Sequence, residues 1–124
     1  MSPLERARGA IGARFRLHGR CVAHGLDCVG LAGLAHGIAV PRGYALRGGS
    51  VAQVCDAAAA AGLARVDDAR PGDLVLFAAG AGQLHLAIAS DDGVIHADAA
   101  LRRVVERPGV PPWPELARWR CKEN

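Results

Sequence analysis

Several features that would point to a particular class of protein are scarce in this chain of 124 residues. Aromatic side chains make up only 4% of the residues, so the core has to be built from Ala, Leu and Val. The basic residues are scattered and are not interleaved with aromatic side chains that could stack on bases, which argues against nucleic-acid binding. A net charge of +3 would suit an anionic polymer, but so small an excess discriminates little.

Targeting and membrane segments are also missing from the sequence. No stretch approaches the length of a membrane span, so we expect no membrane insertion. The first 14 residues are too charged for a signal peptide and no apolar segment follows them, so we expect the protein to be cytoplasmic on synthesis. The cysteines lack the spacing of a disulfide framework, and we expect thiols at Cys21, Cys28, Cys55 and Cys121.

The sequence pattern changes from helical to extended near residue 71. Capping boxes begin at Ser2 and at Ser50, where a serine is followed three residues later by Glu or Gln. Helices are predicted over residues 3–14, over residues 28–38, and from Ser50 to near Gly62. Strands are predicted over residues 74–78, 83–90, 93–98, 102–107 and 116–120. Helices followed by hairpin-linked strands predict a single α+β domain over residues 1–124, with an antiparallel sheet.

The residues around Cys28 carry the first indication of chemistry. Asp27 can cap a helix that begins at Cys28, because its carboxylate can accept hydrogen bonds from the unpaired N–H groups of the first turn. A thiol in that turn lies at the positive end of the helix dipole, which predicts a lowered pKa and a nucleophilic thiolate. The alternative is a cysteine that only packs beneath the start of a helix.

Two histidines lie on neighbouring predicted strands. If Asp91 and Asp92 form a two-residue hairpin loop, His85 lies opposite Asp98 and diagonal to His96, with all three side chains on one face. A three-residue loop would put the two histidines on opposite faces. A thiol, an imidazole and a polar group that holds the imidazole are the parts that a cysteine peptidase needs.

In order and spacing, these residues resemble the NlpC-type cell-wall cysteine peptidases of the papain-like superfamily. The resemblance extends over nearly the whole chain, and the chain is most similar to the short members found in phages and gene transfer agents. It is carried by residues 12–17, 26–31, 71–77, 85–88 and 94–97. It implies a papain-like fold, with N-terminal helices packed on an antiparallel sheet and the nucleophile at a helix N-terminus.

The resemblance also implies roles for the candidate site residues. Cys28 would be the nucleophile, its backbone N–H would help to form the oxyanion hole, and His85 would be the general base and acid. His96 would be the polar residue that orients His85. Asp98 competes with His96 for that role, because the predicted register places it directly opposite His85.

Substrate-binding residues are less well specified by the resemblance. Many relatives carry a tyrosine upstream of the nucleophile, where this chain has Phe15 or Arg16. Neither supplies a phenol hydroxyl, so that role is either vacant or filled by another side chain such as Tyr44. The candidates for substrate binding are therefore Tyr44, Asp27 and Arg16.

The activity implied by the resemblance is hydrolysis of peptidoglycan stem peptides, at the bond between γ-D-glutamate and the diamino acid, without a metal or other cofactor. The protein would belong to a phage-like particle, have tail proteins as partners and act on the host wall from the periplasm. Two alternatives share the fold. One is a structural tail or hub component that has no activity, and the other is an amidase or acyltransferase.

A metal site is a further alternative. Thiol and imidazole side chains that zinc accepts follow one another closely at His18, Cys21, His24 and Cys28. Structural zinc sites usually draw their ligands from two separated segments, whereas this run leads directly into a predicted helix. We therefore expect no metal.

Overall fold

The computed structural model describes residues 1–41 and 49–122, which form three helices and two antiparallel sheets. The helices are α1 (Pro3–Gly9), α2 (Cys28–His36) and α3 (Val51–Ala60). The small sheet pairs β1 (Arg20–Cys21) with β2 (Gly25–Leu26). The large sheet has the order β3-β8-β4-β5-β6-β7, and its strands are β3 (Leu63–Arg65), β4 (Leu74–Gly80), β5 (Gln83–Ala89), β6 (Gly93–Asp98), β7 (Arg103–Pro108) and β8 (Glu115–Cys121). The predicted α+β class is confirmed.

Both predicted capping boxes are present at the starts of α1 and α3. The Ser2 hydroxyl accepts from the Glu5 N–H, and the Ser50 hydroxyl accepts from the Gln53 N–H. The prediction that α1 extends to residue 14 is wrong. Gly12 adopts a φ of +92°, which a helix cannot include, and its N–H donates to the Val104 carbonyl. The chain after α1 therefore pairs with β7 at the edge of the sheet.

Three short strands escaped the sequence analysis. Residues 15–26, for which no helix or strand was predicted, contain β1 and β2, and β3 adds three residues beside β8. Strands of two or three residues are too short to show an alternating pattern. The five longer strands lie within two residues of their predicted bounds, and α2 begins at Cys28 as predicted.

The large sheet has a buried cluster on each face. The main core packs the three helices against one face, and Leu76, Leu86 and Ile95 are among its buried side chains. A smaller cluster on the other face contains Phe77 and Ala87, among other residues, and Trp113 packs against it. Among the described helices, none is long and apolar enough to cross a membrane.

The register of the β5–β6 hairpin is the one predicted. Ile88 pairs with Ile95 and Ala89 with Val94, and the Ser90 N–H donates to the Gly93 carbonyl. The ladder between the two strands consists of these pairs, and beyond them His85 and His96 line an open cleft. The two strands therefore part at the end that carries the predicted histidines.

Candidate active site

Asp27 caps α2 as predicted. Its Oδ1 accepts from the Gly30 N–H at 2.8 Å, and its Oδ2 accepts from the His18 N–H at 2.7 Å. Arg20 adds an ion pair at 3.4 Å, and Asp27 is only 2% exposed. The carboxylate is thereby committed to holding the start of α2 and the preceding loop. This geometry gives Asp27 a structural role, and its predicted contact with substrate stays a prediction.

Cys28 occupies the first position of α2, and 5% of the residue is exposed. Burial, together with a smaller contribution from nearby Asp27, raises the pKa of its thiol to about 12. Backbone hydrogen bonds from Leu86, Cys28 and Val29 lower the pKa but do not compensate for the burial. The prediction of a lowered pKa is therefore wrong, because the cost of desolvating a thiolate exceeds the stabilisation by the helix terminus. The resting thiol is neutral.

His85 and His96 are hydrogen-bonded across the parted strands. His85 Nε2 lies 2.9 Å from His96 Nδ1, and the two rings meet edge to face with centroids 5.0 Å apart. His96 is 4% exposed and is therefore held firmly by its surroundings. Of the two candidate orienting groups, His96 is the one in direct contact with the His85 imidazole.

Asp98 lies on the far side of His96. Its Oδ2 is 4.0 Å from His96 Nε2, and its Oδ1 accepts from the N–H groups of Ala100 and Leu101. A carboxylate at this distance favours the proton of neutral His96 on Nε2, so that Nδ1 is an acceptor. His85 then donates from Nε2 and retains an unprotonated Nδ1. That nitrogen is the one available to accept a proton from a thiol.

Both imidazoles are neutral at pH 7. Burial lowers the pKa of His85 to about 4, the proximity of His96 contributes to the decrease, and Asp98 opposes it. Burial also lowers the pKa of His96, with Asp98 again opposing the decrease and Arg107 adding to it. A neutral imidazole can accept a proton, so the pair is in the state that a general base requires.

Trp113 is a component of this site that the sequence analysis missed. Its ring centroid lies 5.2 Å from that of His85 and 5.5 Å from that of His96, and Phe77 packs against it at 5.5 Å. The indole thus shields both imidazoles from water on this face of the sheet. It comes from the proline-rich segment after β7, where the only available signal was an aromatic residue between prolines in a chain with few aromatics.

The cleft brings the three predicted catalytic residues together. It has a volume of about 630 Å³, and Cys28, His85 and His96 all contribute to its lining. Asp98 and Trp113 also line it. The start of α2 supplies the thiol, and the parted ends of β5 and β6 supply the imidazoles.

Of the predicted substrate-binding residues, Asp27 also lines this cleft. Arg16 is exposed, and the residues that line the cleft do not include it. The Arg16 Cβ instead packs against Gly25, so closely that a Cβ added to Gly25 would lie only 2.7 Å from it. Tyr44 lies outside the residues that the structure describes. Within residues 1–41 and 49–122, no three His, Cys, Asp or Glu side chains are grouped so that they could hold a metal ion, and this includes the run from His18 to Cys28.

Comparison with known proteins gives a match among solved structures. No protein-family profile matches the chain, and no curated protein matches it. The crystal structure of the NlpC/p60 domain of peptidoglycan hydrolase SagA matches with a TM-score of 0.57 and 26% sequence identity, over 86% of each chain. This similarity supports the NlpC/p60 family for this chain. The fold is that of an NlpC/p60 papain-like domain, in which helices pack on an antiparallel sheet.

Proposed function

We propose that the protein is a cysteine peptidase that hydrolyses peptidoglycan stem peptides. The observation that carries the proposal is that a thiol at a helix N-terminus and a hydrogen-bonded histidine pair line one cleft. The structural similarity to the NlpC/p60 domain of a peptidoglycan hydrolase supports the choice of substrate.

The proposed mechanism begins with a neutral thiol and a neutral imidazole. As the Cys28 Sγ attacks the carbonyl carbon, the thiol proton moves to His85 Nδ1, and the new imidazolium is stabilised through His96 and Asp98. The Cys28 N–H donates to the developing oxyanion. His85 then returns the proton to the leaving amine as the C–N bond breaks. Water, deprotonated by His85, hydrolyses the resulting thioester and releases the thiol.

The bond that we propose for cleavage is the one between γ-D-glutamate and the diamino acid. An association with a phage-like tail, which would carry the protein to the host wall, is a second part of the proposal and rests on the resemblance of the sequence to short phage-type members. Fractionation of particles from the producing strain tests this part. Absence of the protein from purified particles would contradict it.

A digest tests the activity itself. Purified peptidoglycan is incubated with the reduced wild-type protein and with Cys28→Ala, and the soluble fragments are identified by mass spectrometry. New stem-peptide fragments released by the wild type alone would establish Cys28 as the nucleophile and identify the bond. An equal release by both proteins would contradict the assignment of Cys28.

A structural component without activity is the second candidate, and the deep burial of Cys28 favours it. The rate of alkylation by iodoacetamide at each cysteine separates the two candidates. In an active enzyme, iodoacetamide should alkylate Cys28, and the rate of this reaction should depend on His85. If neither the wild type nor Cys28→Ala releases fragments, and iodoacetamide alkylates Cys28 more slowly than exposed Cys21, the structural candidate is favoured.

A further inference from the structure

A second groove lies beside the catalytic cleft and is rich in arginine. It has a volume of about 1010 Å³, and Arg14, Arg102 and Arg103 line it. Phe15 and Ala99 line both this groove and the catalytic cleft, so the two adjoin. A substrate that extends from Cys28 past Phe15 and Ala99 would enter the groove that the three arginines line.

The backbone holds these arginines together. Arg14 and Arg103 form an antiparallel β-bridge, and directly opposed residues of such a pair project their side chains on the same face. Like charges in this arrangement destabilise a sheet unless an opposite charge compensates them. Arg102 precedes Arg103 at the turn between β6 and β7 and has a φ of +60°, a conformation that usually favours glycine or asparagine. Its carbonyl accepts from the Phe15 N–H at 2.9 Å.

The groove differs from the other arginine-rich parts of the surface. Arg8, Arg118 and Arg120 each form ion pairs with carboxylates at 2.7–3.5 Å. Among the residues that the structure describes, Arg14 and Arg103 have no carboxylate within ion-pair distance, and the same holds for Arg102. Asp98 lies directly opposite Arg103 across β6 and β7 but is not within ion-pair distance of it, so the positive charge of the groove is at most partly compensated and can attract an anionic ligand.

We infer that this groove binds a free carboxylate of the stem peptide beside the bond that is cut. The inference rests on the proposed function and assigns it a specificity site. A γ-linked glutamate leaves its α-carboxylate free, so a substrate cleaved after this residue carries a negative charge close to the reacting carbonyl. Arginine binds carboxylates through paired, charge-assisted hydrogen bonds, and converting the carboxylate to its amide removes the charge.

Two soluble stem-peptide fragments test the inference, one with the free α-carboxylate of γ-D-glutamate and one with that group as the amide. The wild type should cleave the carboxylate form with a kcat/KM about tenfold or more above that of the amide form. The double variant Arg14→Gln/Arg103→Gln should lose this preference, through a fall in kcat/KM that is about tenfold larger for the carboxylate form than for the amide form. Arg65→Gln/Arg70→Gln removes the same charge away from the groove and should retain the preference.

Binding to the inactive Cys28→Ala protein separates this inference from the proposed function. Calorimetry with the same two fragments should show the same preference for the carboxylate form, which is lost when Arg14→Gln/Arg103→Gln is added. Cleavage or binding of both fragments with equal efficiency would overturn the inference and leave a peptidase intact. Preferential binding without cleavage by the wild type would support the groove and overturn the proposed activity.

Discussion

Two carboxylates at opposite ends of the large sheet are held in very different ways. Asp73, which precedes β4, is 1% exposed and accepts hydrogen bonds from the Arg70 N–H at 2.8 Å, from Arg118 at 3.0 Å, and from Arg120 at 2.7 and 3.0 Å. Asp98, which ends β6, accepts two backbone hydrogen bonds on one oxygen, and its other oxygen lies 4.0 Å from His96. Both carboxylate oxygens of Asp73 therefore accept hydrogen bonds, whereas only one oxygen of Asp98 accepts the two backbone hydrogen bonds.

The partners of the two carboxylates differ in their ability to titrate. Burial alone would raise the pKa of Asp73, but hydrogen bonds from Arg120, the Arg70 N–H and Arg118 outweigh it and lower the pKa. The interaction with Asp73 raises the pKa of Arg120, so neither group of this pair exchanges a proton near neutral pH. Histidines face Asp98 instead, and they can gain and lose a proton. A saturated network suits structure, and a partly satisfied one leaves a proton free to move.

Asp73→Asn should break the structural network with the largest effect on stability. The substitution leaves two guanidinium groups near a buried neutral amide, and the free energy of unfolding should fall by about 3–5 kcal/mol. Urea unfolding measures the change. Asp68→Asn, which removes an exposed partner of the same Arg120, should cost less than about 1 kcal/mol. Equal losses in the two variants would contradict the special role of Asp73.

His96→Ala should break the catalytic network. Without the group that holds His85 Nε2, the base loses its orientation and its tautomer, and kcat should fall about 10³–10⁴-fold while KM changes little. Steady-state kinetics on a soluble stem peptide measures both constants. His96→Gln offers an amide oxygen to His85 and should recover part of kcat. A glutamine variant as inactive as the alanine variant would argue against an orienting role.

The two networks should fail in different pH ranges. His85 has a folded-state pKa of about 4 and an ordinary pKa of 6.5, so between pH 6.5 and 4 the unfolded chain binds a proton that the folded chain does not. Stability should therefore fall by about 3 kcal/mol as the pH decreases through this range. Asp73, whose pKa is lowered from 3.8, contributes stability that is lost only at still lower pH. Urea unfolding from pH 7 to pH 3 should show a shallower fall above pH 4 in His85→Gln than in the wild type.

Asp98→Asn should have the smallest effect and should act on catalysis. Removing a negative charge beside His96 lowers the pKa of both imidazoles further, because Asp98 raises each of them in the wild type. The acid limb of the kcat/KM profile should move to lower pH, and kcat should fall about 10–100-fold. Asp92→Asn, at the exposed turn of the same hairpin, removes the same charge and should leave the profile in place. An unmoved acid limb in Asp98→Asn would exclude its action through His96.

Local sequence was sufficient to predict much of the frame that carries the site. Ser2, Asp27 and Ser50 begin the three helices because a capping side chain interacts with N–H groups only a few residues away. The Asp91–Asp92 turn sets the β5–β6 register for the same reason, since a two-residue loop leaves one way to pair the strands. These features depend on neighbours in the chain and are therefore readable from it.

Tertiary structure decided the properties that depend on distant residues. The pKa of Cys28 rises because the sheet covers the start of α2, and this burial is invisible in the residues around the cysteine. Trp113 reaches the histidines, and Arg14 meets Arg103, only because separate segments pack on the same sheet. Sequence by itself determined which side chains begin the helices and how β5 pairs with β6. Packing determined the protonation of Cys28, His85 and His96 and the charges that surround them, because desolvation and Coulomb interactions depend on distance in space.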